Sequence, residues 1–225
     1  MNLGALFSGG KDSTFAVYNS LHAGHEVKFL LTMLHRNPES YMFQYPNIEF
    51  TKYQGEAMGI PVVFQETKAE KEHELKDLET GVKKLVGIEG LIAGGLASKY
   101  QYSRIEDIAK KLRLEVIAPF WKSDPEEYWR LILDADFSVM VVGVACEGLG
   151  KEWLGRIIDE QALQELKKLS EKHRFHMAGE GGEFETFVLD GPIFKKSLEV
   201  KDAETVWDRD SGFYLFKKVA IHSKD

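Results

Sequence analysis

The residues best equipped for chemistry lie near the N-terminus, in the string Ser8-Gly9-Gly10-Lys11-Asp12-Ser13. An apolar run, Leu3 to Phe7, precedes it and a helix-like stretch follows, so the string reads as the turn between a buried strand and a helix. Glycines at such a turn let backbone N–H groups approach a phosphate. The helix beyond adds its unpaired first-turn amides and the positive end of its dipole. Ser8 and Ser13 contribute hydroxyls, Lys11 a cation, and Asp12 a carboxylate able to hold Mg2+. These are the parts of an anion cradle, although two adjacent glycines also suit a plain strand-to-helix turn. Two other phosphate motifs are excluded. A Walker loop fails because Asp12 follows Lys11 and Ala5 stands where its first glycine would be. A dinucleotide fingerprint fails because Gly9 and Gly10 are adjacent with no third glycine behind them.

Three further strings could share that chemistry. Tyr41 and Gln44 lie in a long aromatic loop bracketed by Pro38 and Pro46, a length at which loops serve as lids or lie flat on the core. Gly94 and Gly95 end another apolar run, so they can border the same crevice or form an ordinary turn; Tyr100, Gln101 and Arg104 follow. Glu180-Gly181-Gly182-Glu183-Phe184-Glu185-Thr186 is acidic. Carboxylates repel phosphate and suit cations, and Phe184 or Phe187 could add a cation–π contact. The competing reading is a charged edge hairpin with Phe184 in the core.

The elements that must position these residues alternate. Apolar runs at 3–7, 27–34, 61–65, 90–94 and 116–118 are separated by helical stretches, which argues a parallel α/β sheet with right-handed crossovers. Ser103-Arg104-Ile105-Glu106 has the form of a capping box, which predicts a helix start there. After Pro119 the texture changes. Asp124-Pro125 opens a helix, 138–145 is a strand, 161–175 a helix, and from Met177 onward the glycines predict short strands and turns. A boundary near residue 120 divides an α/β part, 1–120, from a smaller α+β part, 121–225.

Composition narrows the classes. The 225 residues carry a net charge of −7, 44% hydrophobic and 29% charged residues, as in a globular protein. The acidic balance argues against direct nucleic-acid binding. The longest apolar run, Val139 to Cys146, is too short for a membrane span. No secretory signal is visible at Met1-Asn2-Leu3-Gly4, and a single cysteine, Cys146, fits a reducing, cytoplasmic setting. Cys146 is expected to be buried and inert, and Trp121, Trp129 and Trp153 to pack in the core or between the two parts. The pairs His22/His25 and His173/His176 lack companion ligands for a metal.

The string Ser8 to Ser13 resembles the PP-loop of the N-type ATP pyrophosphatases. That resemblance implies an adenine nucleotide alpha hydrolase (HUP-like) fold and cleavage of ATP between its α and β phosphates. It also implies that Ser8, Gly9, Gly10, Asp12 and Ser13 hold the departing pyrophosphate while Lys11 offsets its charge. With the strings around Tyr41, Gly94 and Glu180 added, the chain is similar over most of its length to the diphthine–ammonia ligases. That likeness implies an ATP-dependent ligase of diphthamide biosynthesis. It would adenylate the diphthine carboxylate on translation elongation factor 2, with Mg2+ at Asp12 and ammonium as nitrogen donor, and release AMP and pyrophosphate. The residues carried over are Lys11, Asp12, Glu183 and Glu185 as catalytic, Gly94 and Gly95 beside ATP, and Tyr41, Gln44, Tyr100, Gln101, Arg104 and Glu180 to Thr186 toward the substrate. A homodimer is left open. Two other readings stand beside it: a PP-loop enzyme modifying tRNA, which usually needs more than one cysteine, and a non-catalytic adenine-nucleotide sensor, which has no use for the acidic string.

Overall fold

The structure is a computed structural model and describes residues 1–35, 46–67, 71–94, 99–120 and 123–224. Its first half alternates β1 (Asn2–Leu6), α1 (Lys11–His22), β2 (Glu26–His35), α2 (Thr51–Met58), β3 (Val62–Thr67), α3 (Lys71–Lys83), β4 (Gly90–Ile92), α4 (Lys99–Leu112) and β5 (Glu115–Ile117). The five strands form one parallel sheet in the order β3-β2-β1-β4-β5. Neighbours β1 and β4 continue in opposite directions across the sheet, so the crevice beyond their carboxyl ends is the switch point at which such sheets bind ligands. The Ser8–Ser13 turn follows β1 and Gly94 follows β4, which brings both to that crevice.

The second half holds α5 (Pro125–Asp134), β6 (Ser138–Val144), α6 (Glu160–His173), β7 (Phe184–Asp190), β8 (Lys196–Asp208) and β9 (Ser211–Ser223). Its strands form an antiparallel sheet, β7-β6-β9-β8. The change from parallel to antiparallel falls between Ile117 and Pro125.

One core serves both halves. Leu3, Ala5, Phe15 and Val17 pack in the same buried cluster as Trp129, Val139, Val142, Leu163, Phe184 and Phe187. A smaller cluster, with Leu31, Val82, Leu91 and Ile108, lies under α3 and α4. The first sheet is therefore covered on both faces, which explains its nearly continuous apolar strands. Trp129 and Trp153 are fully buried; Trp121 lies outside the described residues.

Two expectations need correction. The helix α4 starts at Lys99, so Ser103 and Glu106 are interior positions; a Ser and a Glu three apart also occur as ordinary neighbours along a helix. The tail does not consist of short strands. β8 and β9 have 13 residues each and pair from Lys196–Ser223 to Asp208–Ser211. Exposed charges at Glu199, Lys201, Asp202 and Glu204 hide the alternation in the sequence.

Helix α5 is set by a strong start. Asp124 accepts hydrogen bonds from the Glu126 and Glu127 amides at 3.0 and 2.9 Å, with Pro125 in the first helical position. Asp124→Ala should lower stability by about 1 kcal/mol and Tm by roughly 2–4 °C, read by thermal denaturation.

Candidate active site

The glycine loop is built from both halves of the chain. Gly9 has φ +81°, a conformation that favours glycine. A side chain there would also run into the Gln54 Oε1 atom. The Gly9 carbonyl accepts two bonds, from the Val188 amide at 2.9 Å and from Gln54 Nε2 at 2.8 Å. Gln54, fully buried on α2, also donates to the Val188 carbonyl at 2.7 Å. Its Oε1 is buried with no hydrogen-bond partner. One buried amide thus ties the loop to β7.

Gly10 caps α1 without a side chain to help, and Thr186 from β7 supplies the acceptor instead. The Lys11 amide donates to Thr186 Oγ1 at 3.1 Å. Within the loop, the Ser8 amide donates to Ser13 Oγ at 3.3 Å, and Ser13 Oγ donates to the Gly10 carbonyl at 3.2 Å. Gly94 lets β4 close on this turn, since a Cβ there would lie 2.5 Å from the Asp12 carbonyl carbon.

Lys11 is buried, at 4% exposure. Its Nζ donates to the Ala178 carbonyl at 2.6 Å and to Asp12 Oδ2 at 2.8 Å. The rings of Trp129 and Phe184 flank it, with centroids 5.6 and 5.7 Å away. Asp12 Oδ1 accepts the Tyr128 hydroxyl at 2.9 Å. The lysine of the glycine loop therefore reaches into the second half, and a tyrosine of the second half reaches back.

The acidic string divides. Glu185 lies on β7 close enough to feel Lys11, Asp12 and Glu180. Burial pushes its carboxyl up to about 7; Lys11 opposes the rise, and the negative charges of Asp12 and Glu180 add to it. Room for it comes from β6, where Val142 is an extra residue between the Val141–Thr186 and Gly143–Glu185 pairs, a bulge of the kind that re-aims side chains. A Cβ on Gly143 would lie 3.1 Å from that of Glu185. Glu183 is turned to other work. Its Oε1 accepts the His176 amide and its Oε2 the Gly181 amide, both at 2.8 Å, which closes the loop before β7. On that side it adds to burial in pushing the Cys146 thiol up to about 11, an inert value.

The structure thus gathers Lys11, Asp12, Glu180, Glu185, Phe184 and Thr186 around one place and leaves Glu183 outside it. Gly181 and Gly182 shape the loop, Gly182 with φ +84°. Arg104 is partly buried on α4. Tyr41, Gln44 and Gly95 lie outside the described residues, as do the side chains of Tyr100 and Gln101. Sequence reading missed Gln54 and Tyr128. A polar residue on an otherwise packed helix face was the faint signal for Gln54; Tyr128 offered none beyond an aromatic on an amphipathic helix.

Fold and site together define a doubly wound α/β protein with a glycine loop at the switch point, completed by an antiparallel sheet. The family model described as diphthamide synthase N-terminal domain matches residues 1–116, and that for the diphthamide synthase C-terminal domain matches 124–221. A human protein named diphthine–ammonia ligase is 31% identical over 92% of this chain and 85% of its own. Its Danio rerio namesake is 31% identical over 100% and 97%. A Schizosaccharomyces pombe protein of the same name is 29% identical over 100% of this chain but 40% of its own. The chain belongs to the diphthine–ammonia ligase family. A solved structure titled as a predicted subunit of tRNA methyltransferase from Methanocaldococcus jannaschii aligns over 85% of this chain and 98% of its own, at 15% identity and a TM-score of 0.47, too slight a likeness to carry an argument.

Gly94→Ala should force α1 away from β4 and destabilise the protein by about 1–3 kcal/mol, read by urea unfolding. Glu185 makes a separate prediction. Its folded pKa lies above its unfolded one, so its contribution to stability is fully present below the unfolded pKa, near 4.5, and is lost as pH rises through about 7. Glu185→Gln should flatten that loss, by up to about 3 kcal/mol, when thermal stability is compared at roughly pH 5 and pH 8.

Proposed function

We propose that the chain catalyses ATP-dependent amidation of the diphthine carboxylate on translation elongation factor 2, with ammonium as nitrogen donor. The observation that carries this reading is the meeting of the glycine loop with β7, where the Lys11 amide bonds Thr186 and the partly buried Glu185 lies within reach of Asp12 and Lys11. A phosphate-binding turn and a set of carboxylates suited to a cationic acceptor then share one crevice. Residues 1–120 form the nucleotide part and 121–225 the acceptor part.

The chemistry follows from what a carboxylate lacks. Its negative charge repels nucleophiles, and it has no good leaving group. Attack of a carboxylate oxygen on the α-phosphorus of ATP breaks the α–β bridge, releases pyrophosphate and leaves an acyl-adenylate. Ammonium gives up a proton to solvent, the ammonia so formed adds to the acyl carbon, and AMP departs as a second proton leaves the nitrogen and the amide forms. Ser8, Gly9, Gly10, Asp12 and Ser13 hold the pyrophosphate, and Lys11 offsets charge that builds on it. Glu180 and Glu185 attract the cationic reactants.

Mg2+ fits here in a limited way. Among the described residues, no three His, Cys, Asp or Glu side chains are grouped to hold a metal. Asp12, with about four lone-pair sites on its carboxylate and one bond on each oxygen, retains capacity for an ion shared with phosphate oxygens, the usual arrangement for magnesium with nucleotides. When bound, the ion would neutralise phosphate charge. No helix among the described residues is long and apolar enough to cross a membrane, and the lone cysteine suits a cytoplasmic setting.

The test is pyrophosphate release from ATP by the purified chain, with and without diphthine-bearing elongation factor and ammonium. Sustained release that needs both is the expected outcome, with no more than about one pyrophosphate per enzyme when ammonium is withheld. Release that depends on tRNA, or ATP binding with no release under any condition, would overturn the reading.

A further inference from the structure

Tyr128 stands 116 residues from Asp12 in the sequence, and its hydroxyl donates to Asp12 Oδ1 at 2.9 Å. It is fully buried on α5, with its ring against Phe120 (centroids 5.0 Å apart) and Phe15 (5.6 Å). That packing leaves the hydroxyl little freedom. The other oxygen of Asp12 takes Nζ of the adjacent Lys11, which is itself held by the Ala178 carbonyl. The bond from Tyr128 is a second, independent anchor, and it ties the carboxylate to α5.

The donor type matters as much as its place. A lysine or arginine at this position would set a second cation against Asp12 beside Lys11, whereas a phenol fixes the carboxylate without adding charge.

We propose that Tyr128 is a positioning residue for the nucleotide reaction: it holds the Asp12 carboxylate in the one orientation whose remaining lone pairs face the phosphates and their counter-cation. The proposal rests on the nucleotide-cleaving reading given above.

Tyr128→Phe keeps the ring and removes the donor. ATP binding by the full chain, measured by calorimetry over a series of Mg2+ concentrations, gives a readout that needs no turnover. The Mg2+-dependent affinity should fall about tenfold, the order expected for one hydrogen bond to a charged group, while Mg2+-free binding stays within about twofold. The kcat of pyrophosphate release should fall with it, and the KM for ammonium should not move. In an Asp12→Asn background, Tyr128→Phe should add almost nothing. Unchanged Mg2+-dependent binding in Tyr128→Phe, or additive losses in the double variant, would overturn the proposal. So would a fall in Tm of more than about 10 °C, far beyond the loss of one hydrogen bond, which would make the role structural. Wild-type protein that binds no ATP at all would sink the nucleotide reading itself, an outcome separable from any difference between the variants.

Discussion

The carbonyl oxygen of Gly9 accepts one hydrogen bond from the Val188 amide and a second from Gln54, and that shared acceptor governs much of the rest. Buried backbone groups must find partners, and the left-handed turn at Gly9 removes its carbonyl from any regular ladder. The partners come from a helix of the first half and a strand of the second. Once β7 is drawn in to satisfy Gly9, Thr186 lies where it can cap α1, and Glu185 is carried alongside Asp12 and Lys11. The acidic site is to this extent a by-product of how the glycine loop is satisfied.

Electrostatics then sorts the carboxylates. Asp12 and Glu180 both act on Glu185 with negative charge, against the positive charge of Lys11. Glu185, through burial first and then these negative charges, holds its proton to higher pH. Glu183 escapes the competition because two backbone amides satisfy it elsewhere. Carboxylates gathered in this way bias their surroundings toward cations.

The parallel sheet was legible because its signals are local. Five apolar runs alternate with helical stretches, and the glycine loop is contiguous. The division of labour between Glu183 and Glu185 was not. Two residues of equal parity share a face in a regular strand, but β7 begins only at Phe184, so Glu183 belongs to the preceding turn and obeys no alternation. The bulge at Val142 lies on a different strand and leaves no mark near Glu185. Gln54 and Tyr128 act across 45 and 116 residues, and single polar or aromatic positions on amphipathic helices are too common to stand out. The long β8–β9 hairpin was obscured for a different reason, since charged residues on its exposed edge break the apolar pattern.

The cap that Thr186 provides to α1 spans 175 residues. During synthesis the string Ser8 to Ser13 leaves the ribosome long before Thr186, Val188 or the Ala178 carbonyl exist. For most of translation the nascent chain holds a glycine turn whose first helical amide, central carbonyl and lysine all lack their final partners. The loop acquires its final shape only when β7 docks, so assembly of the glycine-loop site is a late event. A ribosome that stops early would release a chain bearing the recognisable motif but not the geometry that gives the motif its meaning.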